Sequence, residues 1–195
     1  MSSLQARLFS REVLPFYSSL LVLAAVALLC DAALHLLGAV WIGRWLGIPG
    51  TLMILGSLAY SLRKRKLIRS GQPVMLLRLH ESMAWAGSLL VLVHAGIHFN
   101  SILAWLATLA RIINVASGLT GKFLLGRSRR RLDDARQRMR AQGLTAEQQT
   151  ERTYWDSLTF DAVRQWRSVH FPITLAFAVL ALAHIVAEFL FWSWK

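Results

Sequence analysis

Residues 79–99 read LHESMAWAGSLLVLVHAGIHF, an apolar run carrying three histidines, His80 near one end and His94 and His98 near the other. A hydrocarbon core of about 30 Å is crossed by about 20 helical residues, so the run is long enough to span a membrane. Backbone N–H and C=O groups in lipid must be satisfied within the segment, which makes it a helix. Four more apolar blocks flank it, at 14–42, 45–62, 102–125 and 169–194. The block at 45–62 is short and interrupted by Gly47, Pro49 and Gly50. Pro49 nevertheless suits the first turn of a helix, where its missing N–H has no partner to lose. The expected fold is all-α, one integral membrane domain over 1–195 with five transmembrane helices.

Composition agrees. Of 195 residues 55% are hydrophobic, more than a soluble domain of this length needs. The net charge of +12 would suggest nucleic acid, but the basic residues alternate with long apolar blocks, so no nucleic acid partner is expected. The single cysteine, Cys30, excludes a disulfide framework, a thiolate-held iron–sulfur cluster, a zinc knuckle and a covalent c-type haem.

The charges orient the spans. Arg7 and Arg11 precede the first; Arg63, Lys64, Arg65, Lys66, Arg69 and Arg78 lie between the second and third; ten arginines lie between the fourth and fifth. Arg44, Arg111 near a helix end, and Lys195 fall on the other side. The positive-inside rule then sets the N-terminus in the cytoplasm and the C-terminus outside, in a bacterial-type inner membrane. Trp41, Trp45, Trp105, Trp192 and Trp194 collect towards the outer ends, as an interfacial belt does. No cleavable signal pattern is expected: residues 1–10 are polar, and the first apolar run exceeds an h-region. The polar segment 127–167 opens with SRRRLDDARQRMRAQG, for which Gly143 is a C-terminal stop, and Thr145 to Gln148 has capping-box form. It suits either a basic loop resting on anionic lipid headgroups or a docking face for a cytoplasmic partner.

The histidines carry the chemistry. His80 and His94 are 14 residues apart on the third span, and His170 and His184 are 14 apart on the fifth. Six histidines placed at random yield one such pair only about one time in seven, so two matched pairs call for a cause. Fourteen residues make nearly four helical turns, which keeps both members of a pair on one face about 21 Å apart. The third and fifth spans run in parallel, so His80 pairs with His170 at the cytoplasmic level and His94 with His184 nearer the outside. Each pairing can ligate one haem iron from both faces, giving two stacked haem b groups. Hydrogen bonding between helices is the alternative use of such histidines. Gly87, midway between His80 and His94, would leave room for a macrocycle, and Gly96, Gly118 and Gly121 could serve likewise. Each also suits close helix packing. Arg78 and Arg167, shortly before the inner histidines, could pair with haem propionates or simply obey the positive-inside rule.

The segments LHESMAWAGSLLVLVHAGIH and VHFPITLAFAVLALAHIVAE together resemble the bis-histidine di-haem core of transmembrane b-type cytochromes, as in respiratory cytochrome b and the ferric-reductase and NADPH-oxidase membrane domains. The likeness covers about half the chain. It implies His80, His94, His170 and His184 as axial ligands of the haem irons and an electron-transfer role. It also implies partner subunits of a redox complex, because no flavin or nicotinamide domain and no further cytochrome b helices are present. Asp31 and His35, four residues apart in the first span, and His98, one turn beyond His94, are candidates for a quinone or proton site; Glu188 lies one turn beyond His184. A small ion-pair set between helices is the alternative for these. Three functions follow: an electron-relaying cytochrome subunit fed by quinol or another donor, a self-sufficient quinol-dependent reductase, and a metal transporter or assembly scaffold. The last usually has broken helices and polar residues near the midplane. No catalytic side chain is expected in the relay.

Overall fold

A computed structural model of the chain describes residues 14–97 and 101–191. Every regular element among them is helical, and five stretches are long and apolar enough to cross a membrane: Leu14–Leu36, Val40–Lys64, Pro73–Gly96, Ile102–Leu124 and His170–Phe191. The polypeptide is therefore a multi-pass helical membrane protein.

Helix α1, Leu14–Leu36, stops earlier than the apolar run does. Gly38 takes a left-handed φ of 65°, its N–H donates to the His35 carbonyl, and the Ala39 N–H reaches the Leu34 carbonyl at 2.8 Å. That Schellman closure satisfies carbonyls that apolarity alone would have left inside a longer helix. The second span is built in pieces: α2, Val40–Trp45; α3, Gly47–Ser57; and α4, Ala59–Lys64. The interruptions lie at Leu46 and Leu58, both of which keep helical backbone angles, so the three pieces run on as one 25-residue stretch. The sequence suggests a shorter block here, because residues 40–42 read as part of the first span, which Gly38 closes earlier, and Arg63 and Lys64 end the hydropathy before they end the helix.

Helix α5, Pro73–Ile97, begins six residues before the apolar run does. Pro73 supplies the pre-set φ of a first helical residue, after a turn in which Lys66 and Gly71 take positive φ. Helix α6, Ile102–Leu119, passes into a π-helical segment, Thr120–Leu125, and then into α7, Gly126–Ala141. Gly143, at φ 75°, ends α7 as its sequence predicts. Thr145 caps α8, Ala146–Arg152, in a reciprocal capping box with Gln148. Helices α9, Tyr154–Ser168, and α10, His170–Phe191, complete the order.

The fold divides into two compact units. One comprises residues 1–20 and 116–174, the other 21–115 and 175–195. In the second unit, Leu21, Leu28, Leu29, Leu52, Leu109, Val179 and Leu182 are all exposed. Side chains of this kind covering successive turns would be unfavourable in water and are ordinary against acyl chains. Its buried core is small, with Leu23, Ile54, Val93, Ala104, Ala107, Ala110 and Phe177 among the least exposed. Alanine and glycine at these contacts let backbones approach, as membrane helices require in the absence of a hydrophobic drive between them.

Candidate functional site

The site is organised by the pairing of α5 with the second span. Both histidines of α5 donate through Nδ1 to main-chain carbonyls of that span: His80 to Ser57 at 2.9 Å and His94 to Gly43 at 3.2 Å. A carbonyl only accepts, so in each neutral ring Nδ1 carries the proton and Nε2 keeps its lone pair. Ligating histidines are oriented in this way in metalloproteins, the second nitrogen tied to an acceptor that fixes the tautomer. The two carbonyls are 14 residues apart, the same interval as the histidines, and midway between them Gly50 meets Gly87. The spans thus run antiparallel in a seven-residue register, Gly43–Gly50–Ser57 against His94–Gly87–His80.

That register relocates Gly87. It was expected to leave room for a macrocycle, but a Cβ there would stand 2.8 Å from the Gly50 carbonyl and 2.9 Å from Ile54. The second span fills the space, and Gly87 serves close backbone packing. Space beside a histidine is instead kept by Gly47, at the start of α3, where a Cβ would lie 3.0 Å from both Cδ2 and Nε2 of His94. In the sequence Gly47 reads only as an interruption of the second block, and the heptad of small residues Gly43, Gly50 and Ser57 is the signal that points to this register.

His94 and His184 come together. Their ring centres are 6.3 Å apart with planes inclined by 55°, and both rings are partly buried. Two histidine–metal bonds of about 2 Å each, on opposite sides of one ion, put ring centres roughly 6 Å apart. The donor set is two imidazoles with the edge of one kept clear at Gly47, a set that would fit a haem iron. His184 differs from its partner in its support: its Nδ1 is buried without a hydrogen bond, and Glu188 Oε1, one turn on, is 3.9 Å away. Among the described residues no three His, Cys, Asp or Glu gather as a metal-binding group.

The inner histidines, His80 and His170, belong to different units. His80 packs beside the Tyr60 ring, with centroids 5.7 Å apart. In the other unit, His170 Nδ1 is 2.7 Å from the Ser117 hydroxyl, and Gly118 presents its Cα side to the same ring. Arg78 is exposed on α5, and Arg167 lies on α9 with its side chain outside the described set. His98 also lies outside the described residues. Asp31 and His35 do meet: His35 Nδ1 donates to the Asp31 carbonyl at 2.9 Å and stands 3.5 Å from its Oδ1. That Oδ1 is buried without a hydrogen bond, against Gly96, where a Cβ would be 3.2 Å from the carboxylate. Gly96 therefore serves the approach of α1 to α5.

The fourth span holds polar groups whose pattern was also missed. Arg111, Asn114, Ser117 and Thr120 recur every third residue and are each no more than 4% exposed. Arg111 is not near a helix end: it is the tenth residue of α6, well inside the span. Its guanidinium donates to Ser88 Oγ from Nε at 3.0 Å and from a terminal nitrogen at 2.6 Å, and to the Ala84 carbonyl at 2.9 Å. Its carbon also lies 5.2 Å from the centre of the Phe177 ring.

The chain matches no family model, no curated protein and no solved structure.

Proposed function

We propose that the chain is a b-type cytochrome subunit that relays single electrons across a membrane between a quinol or other donor and a partner redox subunit. The observation that carries this is the His94–His184 pair, 6.3 Å between ring centres, with the His94 ring oriented by the bond from its Nδ1 to the Gly43 carbonyl. A bound haem supplies reversible one-electron chemistry, and the protein supplies ligation, burial and local charge. His94 and His184 would hold the haem iron, with Gly47 keeping the His94 edge clear and the Gly43 carbonyl fixing that ring. His80 and His170 each enter as a further candidate ligand on their sequence spacing, with His80 Nδ1 tied to Ser57 in the same manner. The basic segment between the fourth and fifth spans fits the cytoplasmic side of a bacterial inner membrane.

A quinol-dependent reductase acting alone is the second reading, favoured by Asp31. Its buried Oδ1, free of hydrogen bonds, is a base placed one span from the His94 helix, suited to receive a quinol proton. The experiment is an oxidised-minus-reduced spectrum of the purified full chain. Low-spin b-type bands are expected, falling by about half in a His94→Ala/His184→Ala variant if each pair holds one group. No bands in the parent chain, or full amplitude in the variant, overturns the proposal. Turnover of a quinol analogue by the isolated chain, lost in Asp31→Asn, would establish the second reading.

A further inference from the structure

A charged guanidinium inside a membrane span is unfavourable unless something compensates it. Arg111 is 4% exposed, and its contacts are the Ser88 hydroxyl, the Ala84 carbonyl and the Phe177 ring. These three neutral partners solvate the cation without cancelling it. Asp31 and Glu188, the carboxylates nearest the outer histidines in this unit, stand by His35 and His184 instead.

The position of this charge is informative. Ser88 lies six residues before His94 on α5, and Phe177 seven residues before His184 on α10. At 1.5 Å per residue the guanidinium sits about 9–11 Å inward of the histidine pair along both helices. A chain that only needed to join these spans could use apolar contacts. We infer that Arg111 is an electrostatic bias for the redox centre held by His94 and His184: its fixed positive charge favours the state carrying the extra electron. This rests on the haem-ligating function proposed above and adds to it the residue that sets the poise. One electron added at the pair is balanced by the standing charge of Arg111, with no proton required at that side chain. One unit charge at about 10 Å in a medium of effective permittivity about 20 changes the reduced-to-oxidised ratio on the order of tenfold.

The test is an optically monitored redox titration of the full chain with its haem bound. Arg111→Met keeps length and apolar bulk in the span, and leaves Ser88 its hydrogen bond to the Ala84 carbonyl. It is expected to lower the reduced-to-oxidised ratio at fixed ambient potential about tenfold, about 59 mV for a one-electron couple, with haem content and band shape unchanged. Arg111→Lys, which keeps the charge, is expected to stay within about twofold of the parent. Ser88→Asp sets a carboxylate against the guanidinium and is expected to shift the midpoint in the same direction as Arg111→Met. It gives an independent answer if the methionine variant fails to accumulate. An unmoved midpoint in either neutralising variant, or equal shifts in the Lys and Met variants, overturns the inference while leaving the cytochrome assignment standing. Absence of b-type bands in the parent chain defeats both, and is read before any titration begins.

Discussion

His94 and His184 face one another but are held by different means. His94 is fixed by a carbonyl from a separate span, 51 residues away, and by a glycine that a side chain would turn into a collision. His184 is held by its own helix, with a carboxylate at 3.9 Å and no hydrogen bond at Nδ1. The first arrangement depends on how two helices meet, whereas the second travels with α10 wherever that helix goes. The geometry of the pair is therefore more exposed to changes in the second span than to changes around His184, and its electronic tuning the reverse.

The largest effect is expected where the register itself is broken. In Gly87→Leu the added side chain meets the Gly50 carbonyl, and the strain of overpacking is typically about 1–3 kcal/mol. Because His80 and His94 hang on the same register, the variant is expected to lose more than half of its b-type absorbance and to unfold at lower temperature in detergent. Retention of both signals would show that the carbonyl contacts do not set the histidines. Gly47→Val is more selective: its Cβ would sit 3.0 Å from His94, so the outer signal should fall as far as in His94→Ala while the remainder persists. Spectra of the two variants, taken side by side, check this. The smallest effect belongs to the His184 side. Glu188→Gln removes a carboxylate beside the proposed ligand His184, so the midpoint should rise, by less than about fivefold in the redox ratio, with band amplitude unchanged. A loss of absorbance there would mean that Glu188 holds the ring in place, making the two supports alike.

The spans were legible in the sequence because crossing a bilayer demands length and apolarity, and both are local properties. Where the spans end was less so. Gly38 closes α1 inside an apolar run through its backbone angle, which hydropathy does not register. The histidine spacing of α5 was read correctly as one face, but the face's neighbour was not. A 14-residue interval says which side chains align and nothing of which helix they align against. The answer lay in the matching heptad Gly43, Gly50, Ser57, a pattern hidden because small residues in membrane helices are common. Arg111 was misjudged for a related reason: a lone arginine looked like a boundary, whereas its period-three companions Asn114, Ser117 and Thr120 mark a buried polar stripe. The fourth span is accordingly the most enclosed, 28% buried against 6% for the fifth.

The pieced construction of the second span bears on biogenesis. Its interruptions at Leu46 and Leu58 follow the carbonyls that receive His94 and His80 by three residues and by one, so the pairing of two neighbouring spans is enough to turn both imidazoles. On the proposed function, a cofactor would meet rings already turned by these two carbonyls, and its loading would be an insertion into a prepared hairpin.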